Sequence, residues 1–401
     1  MFSNATKKRF LLITFLLGTG LLATSTLAAE NQGPQLLTGG QIHLPQHDQP
    51  LSVSLKGEWE LYWGSFLYTD AMNIQALRPC LISIPHTPSQ SASNCPQIER
   101  YGYGTLRASI FFDSNESQSA NNTYFLRIPD IPGAWRIWIN GELRGSAGRI
   151  GKTRRATKPQ YLIEFFEITP VDSRIEIVIE FANFHDYRAS ITQPPTLSSR
   201  RPFEISFFYN NFFLMLINGA FLFLFVYFMI LYILDRSYKE NLYFALFVFC
   251  LLFRQIIMGQ EMMSIVMHPI PWRVKFAIWH IMIPMQLLTF NNFIHSLFPR
   301  ESRPEVGRGL FWFAMVYAVF CLVTPASIFA RTLSIPQAVA VIYGIYVHVV
   351  IIMAIIRQRD RAWILILGSL VMFAAVIHDI AFSRGLVQTG RLLNVGALVF
   401  V

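Results

Sequence analysis

From about Phe207 to Val401 the chain is a succession of apolar runs long enough to cross a bilayer, separated by short polar turns. A spanning helix needs about 20 predominantly apolar residues at about 1.5 Å of rise each. Seven runs are candidates: about 210–234, 241–259, 274–298, 309–329, 336–356, 363–382, and one starting near Leu392. The seventh has only about ten residues before the sequence stops, roughly half of a hydrocarbon core. The expectation is a chain that stops inside the membrane, as a fragment or a natural truncation. A composition of 53% hydrophobic and 14% charged residues agrees, since soluble chains carry about 25% charged residues.

The formal charge is +9. Its Lys and Arg lie mostly in short loops beside helices and in one loop of the first half, without a basic folded face, so no nucleic-acid partner is expected.

The N-terminus reads Lys7-Lys8-Arg9, an apolar run from Phe10 to about Ala23, then small residues through Ala28-Ala29. That is the layout of a cleavable secretory signal over residues 1–29, with an uncleaved anchor as the other reading. Residues from about Glu30 onward are therefore expected outside the cytoplasm, and residues 30–203 form an exported domain ahead of a membrane domain at 204–401.

Between about Gln35 and Pro202 short alternating segments are separated by Gly, Pro and Asn, an all-β signal. Predicted strands are Leu51–Leu55, Glu58–Tyr62, Thr105–Phe112, Thr123–Ile128, Trp135–Ile139, Tyr161–Phe165 and Arg174–Phe181. In the last of these, Ile175, Ile177, Ile179 and Phe181 share one face and Glu176 and Glu180 the other. Asn140-Gly141 directly after Trp135–Ile139 predicts a type I′ hairpin, which needs positive φ at both central residues. The sum is a β-sandwich. Cys80 and Cys95 both lie in this exported part, where an oxidising compartment favours a bridge between them. Cys250 and Cys321 sit in apolar helices and read as small core residues. No Cys/His spacing resembles a metal site.

Several of these pieces in order resemble a known family. They are Leu55-Lys-Gly-Glu-Trp59-Glu-Leu-Tyr62, Tyr101-Gly-Tyr-Gly104-Thr105-Leu-Arg107, Ile128-Pro-Asp-Ile131, Trp138-Ile-Asn140-Gly141 with Gly148, and Asn183-Phe-His185. They resemble the galactose-binding-like jelly-roll sensor of bacterial seven-transmembrane receptors with diverse intracellular signalling modules. His378-Asp379-Ile380, followed by Gly385, Thr389 and Leu392, is similar to that family's membrane domain. The resemblance covers about residues 45–401 and implies an all-β jelly-roll sandwich followed by an α-helical seven-transmembrane bundle. It also implies a small-molecule or carbohydrate ligand, a bacterial inner-membrane location with the sandwich in the periplasm, and a cytoplasmic effector after helix seven. In the family that effector is often a diguanylate cyclase, a histidine kinase or a phosphatase. Such receptors commonly work as homodimers, a state that no feature of this sequence requires. Where the family continues Asn-Phe-His into a basic, Gly-rich turn, this chain reads Asp186-Tyr187-Arg188-Ala189-Ser190.

With the sandwich outside, the inner turns hold Arg236, Lys239, Arg300, Arg303, Arg308, Arg357, Arg359 and Arg361. The outer turns hold Arg273, Lys275, Arg331, Arg384 and Arg391. The bias has the sign of the positive-inside rule.

Ionisable residues at membrane depth face the protein interior and find partners. Arg254, Glu261, His280, His378 and Asp379 all count to the outer half of their runs, where they form either a polar cluster that repacks on signalling or a static Arg254–Asp379 pair. His348 is deeper and reads as a packing histidine. In the sandwich, Trp63 and Trp135 offer stacking faces, with Asn140, Asn183, His185, Asp186 and Arg188 as polar partners. Trp59 and Trp138 read as core. The loop Arg144–Lys158 carries six cations in 15 residues and reads as solvated, with anionic headgroups as a second reading. No Gly-x-Ser-x-Gly, His-Glu-x-x-His or phosphate-cradling Gly-x-x-x-x-Gly-Lys-Ser/Thr occurs, so no catalytic residue, cofactor or metal is assigned. The two functional readings are a receptor and a transporter with an outer capture domain. The second expects paired repeats or broken helices, and only Pro284 interrupts a run.

Overall fold

A computed structural model describes residues 36–44, 51–70, 78–85, 101–112, 123–186, 191, 193–258, 267, 270–359, 362–383, 387 and 392–400. The expected signal at 1–29, and Cys95, Arg188 and Glu261, lie outside the described residues.

The first half is two packed sheets. Strands β1 (Gln41–Leu44), β3 (Gly57–Trp63), β4 (Cys80–Ile84), β5 (Gly102–Phe112), β7 (Ala134–Ile139), β8 (Glu142–Ala147) and β10 (Arg174–Asn183) form the larger sheet. Its order is β4-β3-β5-β10-β7-β8, with β1 parallel to the end of β5. The smaller sheet runs β2 (Ser52–Ser54), β11 (Thr196–Ser199), β6 (Tyr124–Ile128), β9 (Glu164–Ile168). Alternation decides what lies between them. Trp59, Leu61, Ile110, Trp135, Ile137, Ile175, Ile177 and Ile179 point inward and are at most 1% exposed. The Asn140-Gly141 turn has φ of 50° and 82°, as the sequence predicts.

Three expectations shift. The strand expected at Tyr161–Phe165 forms at Glu164–Ile168. Four strands, β1, β4, β8 and β11, were not apparent, because they are short or carry little alternation. Trp135, expected as a stacking face, is fully buried in the core. It sits in register with Phe181 and Ala147 on the inner side of β7.

The helices are α1 (Arg200–Leu234), α2 (Lys239–Met258), α3 (Trp272–Leu297), α4 (Pro304–Val323), α5 (Ser334–Ile356), α6 (Ala362–Ser383) and α7 (Leu393–Phe400). Two short turns, Ala326–Phe329 and Ala330–Leu333, lead into α5. Within the described residues five helices are long and apolar enough to cross a membrane: α1, α2, α4, α5 with its preceding turns, and α6. They expose large apolar side chains such as Phe223, Trp312, Ile342 and Leu370, the surface a bilayer would cover.

Two helices depart from the expected runs. Helix α1 begins at Arg200, ten residues before the expected start. Its 35 residues would extend about 52 Å, longer than a hydrocarbon core of about 30 Å. The extra turns are held by the smaller sheet: Phe203 stacks on Phe125 at 4.5 Å and meets Phe165 at 5.4 Å, and Phe207 meets Phe165 edge-on at 5.3 Å. Since β11 ends at Ser199, strand runs directly into helix.

Helix α3 is the more polar one. Twelve of its residues are buried, including Lys275, His280, Gln286, Thr289 and Asn291. It packs against α2, α4 and α5. A helix wrapped by other helices need not match the lipid, which explains why its polar residues are tolerated.

The sandwich–bundle junction and a cavity among the helices

Besides the β11–α1 junction, the sandwich meets the helices through a loop and a bracket. The bracket is Asn183–Asp186. Asn183 donates its amide Nδ2 to the Asp186 carbonyl at 3.2 Å, and the Asp186 amide donates back to Asn183 Oδ1 at 3.0 Å. Tyr161 donates its hydroxyl to Asp186 Oδ2, and its ring stands edge-on to Trp272 at 5.3 Å in the first turn of α3. His185 Nε2 donates to the carbonyls of Arg154 and Thr157 at 3.1 and 3.2 Å, which fixes the basic loop. Arg154 in turn donates to Ser327 Oγ in the turn before α5. Lys152 pairs with Asp70 at 2.9 Å.

A second contact lies close by. Arg331 donates to the Tyr101 hydroxyl at 2.9 and 3.2 Å, with its guanidinium 5.4 Å from the Tyr101 ring centre. Arg273 of α3 donates to the carbonyls of Leu322 and Thr324, closing the C-terminal end of α4 as a cation there should.

Asn183, His185 and Asp186, expected as polar partners of a ligand, all lie in this bracket. Their polar atoms are engaged in the bracket and in holding the loop. Asn140 is likewise structural: its side chain accepts from the Glu176 amide at 2.8 Å and donates to the Thr169 carbonyl at 3.3 Å. Trp63 is half-buried and tilts against Phe181 at 6.2 Å. Trp59 is core, its Nε1 donating to the Leu55 carbonyl at 3.0 Å. Trp138 lies on the outer face, stacked on Tyr68 at 4.8 Å. The basic loop, read as solvated, is partly spent on the junction. Cys80 is disulfide-bonded, and Cys250 and Cys321 are free thiols.

The outer face of the larger sheet carries an ion network. Arg107 on β5 bridges Glu176 at 2.6 Å and Glu60 at 3.1 Å, and Arg174 reaches Glu176 at 3.2 Å. Beside it, burial and then the charge of Glu60 push the Tyr62 phenol up from its ordinary value.

Inside the bundle a cavity of about 150 Å³ is bordered by α2, α3, α5, α6 and the start of α7. Arg254 and Asp379 both line it, so counting helical rise placed them at compatible levels. They do not form an ion pair with each other. The Arg254 guanidinium lies 4.8 Å over the Trp279 ring. Asp379 accepts from the Leu392 amide at 2.7 Å and the Leu393 amide at 3.3 Å, capping α7 from α6. His378 Nδ1 is 3.3 Å from Asp379 Oδ1.

His280 is outside the cavity lining. It donates Nδ1 to the Phe276 carbonyl at 2.8 Å, and its ring is boxed by Phe276, Trp279 and Phe329. His348 does line the cavity. Its Nδ1 donates to the Gly344 carbonyl at 2.7 Å and its Nε2 faces Ser369 Oγ at 3.5 Å. Gly344 has no side chain for a reason: a Cβ there would lie 2.2 Å from the Phe373 ring. Gln286, Gln337 and Tyr343 also line the cavity and were missed, because neutral polar residues inside apolar runs look inexpensive.

At the far end of the bundle, Glu301 in the α3–α4 turn is 6% exposed. It accepts from Arg359 at 3.0 Å and Arg357 at 3.3 Å, both just past α5. Burial pushes its carboxyl up, but hydrogen bonds from Arg359 and Arg357 outweigh that and hold it below the ordinary carboxylate range. A carboxylate whose folded pKa is depressed contributes stability above its unfolded pKa and loses it as pH falls through the folded value. The tie between the two turns is therefore expected to fade in acid. The protection of amides at residues 298–303, taken relative to the intrinsic exchange rate at each pH, should fall below about pH 4 in the wild type, whereas Glu301→Gln should show the lower protection at every pH.

Residues 210–401 match the family described as 7TM diverse intracellular signalling. No curated protein matches the chain. Among solved structures, it is similar to β-glucuronidase from Ruminococcus gnavus in complex with C6-substituted uronic isofagomine. The identity is 11% over 38% of this chain and 30% of that one, with a TM-score of 0.29. The same enzyme with uronic deoxynojirimycin gives 10% identity, 40% and 31% coverage, and a TM-score of 0.29. The chain thus spans less than a third of the length of those enzymes, and likeness at that level says nothing of activity. The helices carry the likeness: residues 210–401 match the 7TM diverse intracellular signalling family, a match that, with five helices long and apolar enough to cross a membrane among the described residues, supports a membrane protein with a receptor-like signalling role.

Proposed function

We propose that the protein is a bacterial inner-membrane receptor whose periplasmic sandwich binds a small ligand and whose helices pass the event to a cytoplasmic effector. Carbohydrate is the ligand class that the galactose-binding-like resemblance implies. The observation that supports this reading most is the unbroken mechanical link from sheet to helix. On one side β11 becomes α1 without a linker. On the other, Glu180 holds residues 68 and 69, Asp70 holds Lys152, and two residues on Arg154 holds Ser327. A ligand acts on such a link only by preferring one arrangement of it.

The test is hydrogen exchange on the full chain in lipid nanodiscs with a panel of mono- and oligosaccharides. A sugar that protects the sandwich should also change exchange at 149–158, at 326–333 and at the far turn 298–303. Arg154→Ala should keep the first effect and lose much of the last. Protection confined to the sandwich, or accumulation of the sugar inside proteoliposomes, would overturn the reading in favour of simple binding or transport.

A further inference from the structure

The geometry points to a second binding site, inside the bundle, for a small aromatic carboxylate. It does not require the sandwich to bind anything.

The cavity has a ring-rich wall, with Phe247, Trp279, Phe290 and Phe373 in its lining, and a volume of about 150 Å³. A dry cavity of about that size holds a single six-membered ring, and a full lipid acyl chain exceeds it. Apolar rings alone would leave the choice of ligand open. The polar atoms narrow it. Gln286 and Tyr343 both line the cavity and are 8% and 5% exposed. Gln286 Nε2 and the Tyr343 hydroxyl have no hydrogen-bond partner. Buried polar groups are normally satisfied, and the membrane interior offers no bulk water to satisfy an exception. Two unpartnered groups bordering one cavity are therefore a demand for an acceptor.

The third donor is cationic. Phe247 and Phe290 meet at 4.9 Å, which sets the relative height of α2 and α3. From that level Gln286 is about 6 Å and Arg254 about 10 Å nearer the sandwich by helical rise. Helical side chains lean toward their own N-terminus, so Arg254 on α2 leans back toward the level of Gln286, which leans outward on α3. A carboxylate between them would meet a guanidinium, an amide and a phenol, with its ring against the aromatic wall. The acidic group bordering the cavity, Asp379, has its oxygens directed at the α7 amides. His348, farther from the sandwich, has its Nδ1 proton on Gly344.

Benzoate is the probe. Equilibrium dialysis against the full chain in nanodiscs should show saturable binding, with benzylamine, the same ring bearing a cation, binding at least tenfold more weakly. Ala340→Leu, which fills the cavity, should abolish the saturable component and so sets the background. Tyr343→Phe and Gln286→Leu should each weaken benzoate at least tenfold, while the empty protein melts no lower than wild type because a buried unpartnered group has been removed. If the two groups were ordinary packing, those variants would leave benzoate binding unchanged. That outcome, equal binding of benzylamine, or no saturable benzoate binding at millimolar concentration by the folded wild type overturns the proposal. Oligosaccharide responses of the sandwich are read separately, so either site can fail without the other.

Discussion

Replacing Glu180 by leucine is expected to destabilise the sandwich by about 4 kcal/mol, a large part of the roughly 5–15 kcal/mol that holds a typical domain together. Glu180 lies on the outer side of β10, where alternation predicts a wet carboxylate, yet it is fully buried. The segment 64–70 is folded over it, with Phe66 and Leu67 each 2% exposed. One carboxylate oxygen accepts from the amides of Tyr68 and Thr69 at 2.7 and 2.9 Å, and the other from the Thr69 hydroxyl. Thr105 completes the attachment, donating to the Ser65 carbonyl at 2.8 Å and accepting from the Leu67 amide at 3.3 Å.

Leucine fills the space and removes the acceptor of two part-buried backbone donors. Each such orphan costs about 1–3 kcal/mol, and hydrogen bonds to a charged acceptor contribute about 1.5–3 kcal/mol. Glutamine keeps one acceptor oxygen, so Glu180→Gln should lose about half as much. Urea melts of the full chain in detergent, followed by tryptophan fluorescence, measure the difference. Hydrogen exchange at residues 68 and 69 localises it. Equal losses for the two variants would mean that charge burial, rather than the geometry of acceptance, sets the cost. The same variant should also uncouple the junction, since the segment ends at Asp70, the partner of Lys152.

Much of this architecture is written in short-range patterns. Alternation marks β10, the Asn140-Gly141 pair marks a hairpin, and apolar runs mark the helices. What the sequence conceals has two physical sources. One is packing between elements distant in the chain. Asn183 and His185 look like a ligand set because amides and imidazoles are unusual at a strand end, and only the fold shows their partners to be Asp186 and the 154–157 carbonyls. Glu180 looks exposed because nothing local shows that residues 64–70 cover it. The other source is averaging. Helix α3 reads as one more apolar run, although its His280, Gln286 and Asn291 suit it to the interior of the bundle. Within that run Gln286 carries no charge to draw notice. Helical rise did place Arg254 and Asp379 around one space, because rise per residue is nearly constant. It did not reveal what each side chain would hold, because that depends on the Leu392 and Leu393 amides brought in by α7.

Asp379 therefore supports the second prediction, which separates two accounts of the bundle. If an ion pair with Arg254 stabilised the helices, losing the charge would be as harmful as losing the side chain, and exchanging the two residues would restore part of the loss. The observed bonds run instead to the first amides of α7, whose own first turn closes with the Gly396 amide donating to the Leu392 carbonyl at 2.9 Å. A helix N-terminus has donors with no partner inside the helix, and in a bilayer each one left unsatisfied costs several kcal/mol. Asp379→Leu is expected to destabilise the docking of α7 by about 3 kcal/mol, which corresponds to roughly hundredfold faster exchange at residues 392 and 393. Asp379→Asn retains an acceptor that caps about as well as aspartate and should cost about 1 kcal/mol or less. The exchanged variant, Arg254→Asp with Asp379→Arg, should be no more stable than the sum of its two single losses. Asparagine as damaging as leucine, together with recovery in the exchanged variant, would return the stabilisation to the ion pair. Asparagine close to wild type with additive losses assigns it to the cap, and makes α6 and α7 one mechanical unit at the edge of the cavity.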